Sequence, residues 1–392
     1  MAHFINDGSN YVFVMLYPIL LRNYSLNVLE VAILAGVINL ASIIASPFIG
    51  RWSDSSKNYG GLIAAGLLLA GIGIAGFAVG ALFLDGYPLF LELIPFAGIA
   101  GFGSAFYHPL GATVLSNRWK AKNLGRAMGI NGSIGSIGRA IYPAIVVALV
   151  IAFALPSVLA LSIIAIATGI LVFALLRGGT PNTEESGMVV KTKRSPIPMR
   201  LIISSLFTLT IVAFIRGVFT VGLVALIPTY LTEVSKISYG YDLGLIVVIM
   251  NSTAIFSQPF FGWFTDKMGR RLALGISNAG SVIAMVLFLT TSNPILLVVF
   301  LAMFGFFTLT AFPIIMSLVS GLVPKDASTT ANSIVWGVGN VGGGALGPVL
   351  IGLLAEPYLL NSLKSSFYAM ALVGVISVVL VPFVPKLKDT VP

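Results

Sequence analysis

His3, Asp7, His108, Arg139 and Arg216 interrupt long apolar stretches of this 392-residue sequence, and their side chains have the clearest capacity for chemistry. His3 and Asp7 are four residues apart, which on a helix places them on one face, a turn from each other. A carboxylate beside an imidazole that titrates near neutrality can take up and release protons. His108, which precedes Pro109, can approach the pair from another segment. Arg139 and Arg216 stay protonated and present forked donors that match carboxylate or phosphate. Facing one cavity, they would clamp an anion. Alternatively, each is tied to a buried carboxylate, Asp7 or Glu92, or to helix carbonyls, and simply joins helices. Asn6, Tyr11, Asn39 and Asn251 complete the expected substrate-binding set, Tyr11 because it lies one turn beyond Asp7. With no cysteine and only two histidines, thiolate metal sites, disulfides and three-histidine zinc are excluded, and neither a metal nor a cofactor is expected. The glycine runs near 129–138 and 337–344 lack the lysine of a phosphate-cradling loop and read as close helix contacts.

The surroundings of these residues define where they work. Hydrophobic residues make up 57% of the chain, charged residues only 9%, and the mean hydropathy is +1.02, far from the quarter of charged residues usual in soluble domains. Such a chain lives in lipid, where a charge at the bilayer centre costs about 2.5–3.5 kcal/mol even on the lenient insertion scale and therefore needs a reason. At roughly 20 apolar residues per span, the sequence reads as an all-α polytopic membrane protein with twelve transmembrane helices. They are expected near 2–22, 29–50, 59–84, 88–116, 124–153, 155–176, 200–232, 241–262, 272–291, 294–323, 327–355 and 364–384. If the first helix runs outward, most of the 22 lysines and arginines fall in inner loops and the tail. Both termini are then cytoplasmic, and the net charge of +9 reports topology in a multi-pass cell-membrane protein rather than a nucleic-acid partner. The bilayer, protons and a small-molecule substrate are the expected partners, and a monomer the expected state.

A long polar stretch, 177–199, divides the chain into an N-terminal bundle, 1–176, and a C-terminal bundle, 200–392, each of six helices. The halves repeat one another. Segment 28–54 matches 240–266, with Asn39 on Asn251, Pro47 on Pro259, Gly50 on Gly262 and Asp54 on Asp266, while Pro18 answers Pro228, Pro109 answers Pro313 and Pro143 answers Pro348. Two parallel six-helix halves around a midplane cavity make a transporter architecture, in which rocking of one half against the other moves the substrate. Aligning Pro18 with Pro228 sets Asn6 opposite Arg216 but leaves far fewer residues before Asn6, so the chain is expected to begin inside its first helix.

The residues at this point carry a resemblance. Gly262-Trp-Phe-Thr-Asp266-Lys267-Met-Gly269-Arg270-Arg271 is similar to the signature loop of the major facilitator superfamily between the eighth and ninth spans. Gly50-Arg-Trp-Ser-Asp54 is its weaker copy, without the basic end. His3-Phe-Ile-Asn6-Asp7, Tyr17-Pro18 and Phe106-Tyr107-His108-Pro109 resemble the fosmidomycin-resistance-like branch of that superfamily, and Gly343-Gly-Ala-Leu-Gly347-Pro348 resembles an element associated with antiporters. The resemblance implies a gating role for Gly50, Asp54, Gly262, Asp266, Gly269, Arg270 and Arg271, with the loop carboxylates pairing with Arg270 or Arg271 at inner helix ends.

Together these features predict a secondary active transporter, not an enzyme. Its substrate is expected to be a small organic anion, carboxylate or phosphonate-like, with Arg139 and Arg216 binding it and Asp7, His3 and His108 coupling to protons, in antiport or efflux. A proton-coupled exporter of amphipathic drugs is the alternative. An intramembrane lipid-modifying enzyme is the remote one, because no nucleophile, metal cluster or paired carboxylates lie near an interface.

Overall fold

In lipid the backbone must satisfy its own hydrogen bonds, so a chain this apolar folds into helices. A computed structural model describes residues 1–56, 58–118, 121–176, 199–323 and 331–384, with the side chains of 50, 51, 53–56, 112, 113, 116–118, 121–129, 199, 201, 320, 321 and 333 excepted. The expected linker, 177–199, falls almost wholly outside the described residues. Every described regular element is helical: α1 (Ala2–Asn23), α2 (Val28–Ser56), α3 (Tyr59–Phe83), α4 (Gly86–Ser104), α5 (Tyr107–Arg118), α6 (Ala121–Phe153), α7 (Leu159–Leu176), α8 (Met199–Glu233), α9 (Tyr241–Met268), α10 (Arg270–Thr290), α11 (Pro294–Thr308), α12 (Ala311–Leu322), α13 (Gly342–Ala355) and α14 (Leu363–Leu380). A π-helical stretch, Ser333–Val341, runs into α13. Among the described residues, eleven segments are long and apolar enough to cross a membrane. With the 22-residue α1, which carries Asn6, Asp7 and Asn10, they form a twelve-span helical architecture.

Several spans differ from the sequence reading. The fourth and tenth are broken, α4 giving way to α5 and α11 to α12, where hydropathy alone suggests continuous helices. Both second pieces begin two residues before a proline of the repeat, Pro109 and Pro313, so the break itself is repeated. The eleventh span is wound as a π helix over its first half. α9 continues past Gly262 to Met268, because helical bonding does not stop where the apolar run stops; Lys267 reaches back one turn to sit 5.0 Å from the Trp263 ring. The repeat also shows in how helices end. α1 closes through Ser25 (φ 52°) with Leu26 N–H donating to Leu20 O, and α8 through Lys236 (φ 58°) with Ile237 N–H donating to Leu231 O. Each is a helix end held by an αL residue. α2 starts on a reciprocal cap, Asn27 Oδ1 accepting from Glu30 N–H and Glu30 Oε2 from Asn27 N–H.

The chain divides into two compact units, one of residues 1–189 and 228–248, the other of 190–227 and 249–392. In unit 1 the glycines of α6 bring it against α1: a Cβ at Gly138 would strike the Phe4 carbonyl, and one at Gly135 would strike the His3 ring. In unit 2 a Cβ at Gly343 would strike the Phe214 carbonyl, and one at Gly347 the Val218 carbonyl, so α13 lies equally close on α8. Small residues permit such backbone approach between helices in lipid. The core of unit 2 is filled by Leu209, Phe261, Leu274, Ile314, Ile315, Leu318 and Val335.

Candidate functional site

The close α1–α6 contact in unit 1 and the break between α4 and α5 bring together four of the residues singled out in the sequence. Asp7 is 3% exposed. His3 Nε2 lies 3.3 Å from its Oδ2, as the helical spacing predicts. His108, just inside the start of α5, places Nε2 3.4 Å from Oδ1, and Arg139 of α6 places Nη1 3.3 Å from Oδ2. Asn6 Nδ2 donates to Oδ1 at 3.1 Å, and Arg139 Nη2 donates to Ser136 Oγ at 2.9 Å. One carboxylate thus answers a guanidinium and two imidazoles. The members differ in exposure, the His108 side chain being 54% exposed and that of Arg139 28%. Asp7 Oδ2 and Arg139 Nε are buried without hydrogen-bond partners among the described residues. The site holds unused capacity on both the acidic and the basic side.

Asn131, which the sequence reading passes over, and Tyr107, to which it gives no role, complete the cluster. Asn131 of α6 accepts from His3 Nδ1 through its backbone carbonyl at 2.7 Å, and its side-chain carbonyl accepts from the Tyr107 hydroxyl at 2.8 Å. The Tyr107 ring stacks on the His3 ring, centroids 4.6 Å apart and planes 28° apart. Donor atoms of His3, Asp7 and His108 fall within 4.8 Å of one another, a spacing that one small cation could bridge. The Arg139 guanidinium already stands against Asp7, however, so a dication would face a fixed positive charge, and the arrangement suits a proton better.

The other expected residues are placed by their own helices. Tyr11 is buried in α1, and Asn39 of α2 donates to the Ala35 carbonyl of its own helix at 3.0 Å. Asn251 of α9 is buried in unit 2. Arg216, also in unit 2, is 1% exposed. Its Nε donates to Asn278 Oδ1 at 2.9 Å, Nη1 to Thr220 Oγ1 at 3.4 Å and Nη2 to the Thr308 carbonyl at 2.7 Å. The Thr308 carbonyl is freed by the break after α11. Its neighbours are held likewise: Ser277 Oγ donates to Phe307 O at 2.8 Å, and Gln258 Nε2 to Leu309 O at 3.1 Å. Three successive carbonyls at one helix end are therefore satisfied by side chains from α10, α8 and α9. A cation there also meets the negative end of the helix dipole.

In the loop signatures, the side chains of Gly50 and Asp54 lie outside the described residues. Asp266 sits in the last turn of α9, exposed, and makes no ion pair among the described residues. The expected partner Arg271 instead donates Nη1 to Pro382 O at 3.0 Å and Val384 O at 3.2 Å, capping the chain after α14, and Arg270 opens α10. Gly269 precedes α10 with φ 94°, a conformation that side-chain-bearing residues rarely adopt, whereas Gly262 has open space around it.

The family model described as Major Facilitator Superfamily matches residues 1–251 and 240–391. An uncharacterised MFS-type transporter, YfnC, of Bacillus subtilis (strain 168) is 24% identical over 399 residues, covering 99% of this chain and 93% of that one. Among solved structures, a D-xylose–proton symporter superposes with a TM-score of 0.79 at 15% identity, covering 100% of this chain and 98% of its own. A bacterial homolog of the human lysosomal transporter Spinster, in an inward-facing and occupied conformation, superposes with a TM-score of 0.74 at 14% identity, covering 98% and 94%.

Proposed function

Because this chain belongs to the Major Facilitator Superfamily, a family of transporters rather than enzymes, we propose that it is a proton-coupled secondary transporter of a small organic anion, carboxylate or phosphonate-like, working by alternating access. The observation that carries the reading is the shared oxygen of Asp7, approached by both Arg139 and His3 at 3.3 Å. While Asp7 is ionised and unprotonated at its neighbours, it occupies the guanidinium of Arg139. A proton taken up by the His3–Asp7–His108 group cancels that charge and leaves the partly exposed guanidinium free for an anion of the substrate. Proton and anion then bind together, which favours their movement in one direction over the exchange suggested by the antiporter-like element. A gradient of one pH unit, worth about 1.4 kcal/mol per proton, supports about tenfold accumulation.

In this reading a single arginine binds the substrate. Arg216, whose donors are engaged by Asn278, Thr220 and Thr308 inside unit 2, ties helices together and is not the second jaw of a clamp. Tyr11, Asn39 and Asn251 are assigned to the cavity lining, and the Gly50–Asp54 and Gly262–Arg271 segments to gating at the cytoplasmic face, with both termini on that side of the cell membrane, by the positive-charge bias. The fosmidomycin-resistance-like branch remains the proposed placement within the superfamily, and a monomer the proposed state.

The test is uptake into proteoliposomes under an imposed pH gradient, across carboxylates, phosphonates and lipophilic cations. Accumulation of an anion, lost in Arg139→Gln and largely kept in Arg139→Lys, is expected. Transport of lipophilic cations that persists in Arg139→Gln would reject the anion reading in favour of a drug exporter.

A further inference from the structure

We propose that the coupling proton is carried on Nε2 of His3, with Asp7 as its counter-ion, and that Asn131 and Tyr107 are positioning residues that hold the ring for this task. The inference rests on the proton-coupled reading above and narrows it to one atom.

The Asn131 carbonyl can only accept, so the 2.7 Å contact makes His3 Nδ1 the donor in every state of the ring. The variable proton is then the one on Nε2. That nitrogen faces Asp7 Oδ2 at 3.3 Å, an oxygen buried without a hydrogen-bond partner among the described residues. With Nε2 bare, two lone pairs confront each other in a dry site. With Nε2 protonated, the imidazolium and the carboxylate form a charge-assisted pair. Arg139 Nη1, permanently protonated and 3.3 Å from the same oxygen, disfavours a neutral carboxyl there, so the proton settles on the ring, and the imidazolium then takes over the carboxylate from Arg139.

The described groups around His3 come from three helices: Asp7 from α1, Tyr107 and His108 from α5, and Asn131, Gly135 and Arg139 from α6. Of these described groups His108 is the most exposed, and it serves as the port. The His108 ring meets His3 edge-on at 5.3 Å and is half exposed, so a proton from solvent beside His108 arrives at Nε2 and leaves from the same atom. Tyr107 acts twice. Its ring covers the His3 face, where an aromatic surface favours the imidazolium, and its hydroxyl holds the Asn131 side chain of the residue whose carbonyl fixes the ring. A Cβ at Gly135 would enter the space of the imidazole, so the glycine leaves the ring room at this place.

The test compares proton-driven accumulation with counterflow exchange in proteoliposomes for the full-length wild type, His3→Gln, Asp7→Asn and Tyr107→Phe. His3→Gln is expected to lose accumulation at least tenfold, far more than exchange, with a flat pH profile. Tyr107→Phe keeps exchange but alters the pH profile of accumulation, because the Asn131 side chain is no longer held by the hydroxyl. A wild-type pH profile in His3→Gln alongside lost coupling in Asp7→Asn would overturn the inference and place the proton on the carboxyl. A wild type insensitive to the pH gradient would remove the proton-coupled reading itself. Should His3→Gln fail to insert, 15N NMR of histidine-labelled wild type decides. The neutral ring of His3 is expected as the Nδ1–H tautomer with Nε2 titrating, and the Nε2–H tautomer would overturn the proposal.

Discussion

Both units place a cation beside a broken helix, yet they treat it in opposite ways. In unit 1 the break between α4 and α5 closes on itself, Ala105 N–H donating to Phe102 O and Phe106 N–H to Gly103 O. Arg139 nearby has a carboxylate for company, and that carboxylate is shared with two imidazoles. In unit 2 the break between α11 and α12 leaves its carbonyls to side chains, and Arg216 is spent on one of them together with two neutral groups. A charge matched by titratable groups can change its company when a proton comes or goes. One matched by a carbonyl, an amide and a hydroxyl cannot. The first arrangement is suited to coupling, the second to holding a kinked span in shape.

The comparison breaks most visibly at Arg216. Arg216→Gln leaves the Thr308 carbonyl and Asn278 Oδ1 without their charged donor in a fully buried place. An unsatisfied buried group costs about 1–3 kcal/mol, so the thermal midpoint of the purified protein in detergent should fall by several degrees while the KM for the anion stays within about twofold, where 0.4 kcal/mol is the corresponding difference. A raised KM with unchanged thermal midpoint would make Arg216 a ligand-binding residue and the two units alike. The mirror experiment is Asp7→Asn. It removes the one carboxylate that answers Arg139 and both histidines, so proton-driven accumulation should drop at least tenfold. For the wild type the sign is fixed by the proposal: accumulation rises as the pH on the uptake side falls, because the loaded form is the protonated one, and Asp7→Asn should lose that slope. Retained slope would mean the titrating group lies elsewhere.

Much of the scaffold was legible before any coordinates. Rare charges in apolar runs named His3, Asp7, His108 and Arg139, and the i, i+4 spacing anticipated the first contact. Proline positions marked the repeat that the breaks at Tyr107 and Ala311 share. What escaped has a physical cause in each case. Asn131 contributes to His3 through its backbone carbonyl, which no side-chain pattern announces. The break after Thr308 lies inside a run apolar enough to average as one helix, and nothing local shows that Arg216, Ser277 and Gln258 from distant segments will take up its carbonyls. The resemblance implies a pairing of Asp266 with Arg270 or Arg271, and the Arg271 guanidinium finds the carbonyls of Pro382 and Val384, which no local pattern marks.

A smaller effect sharpens the contrast in unit 1. Gly135→Ala puts a methyl group where the His3 ring sits. The ring is the end of a short side chain and can move, so stability should change little, by about 1 kcal/mol or less. Coupling depends on the ring's placement between Asn131 and Asp7, and the ratio of accumulation to exchange should fall severalfold. Loss of stability with an unchanged ratio would show that the glycine serves helix contact alone.

The smallest expected effect concerns the edge of the unit 2 break. Gln258 is only half buried, so in Gln258→Leu water or a neighbouring donor can serve the Leu309 carbonyl, and the loss should stay below about 1 kcal/mol, the range measured for interhelical hydrogen bonds in membrane proteins. Ser277 is buried and bonds both Phe307 O and, at 3.1 Å, Thr310 Oγ1, so Ser277→Ala should cost somewhat more. The informative quantity is their non-additivity with Arg216→Gln. Adjacent carbonyls of one helix end share the same backbone geometry, and once Arg216 has let go, the break can rewind or splay and the other two donors lose their targets. Coupling energies of about 0.5 kcal/mol or more in double-mutant cycles are therefore expected. Strict additivity would mean that the three donors act independently and that the break persists without Arg216, which would release that arginine from its structural assignment and reopen the question of what else it binds.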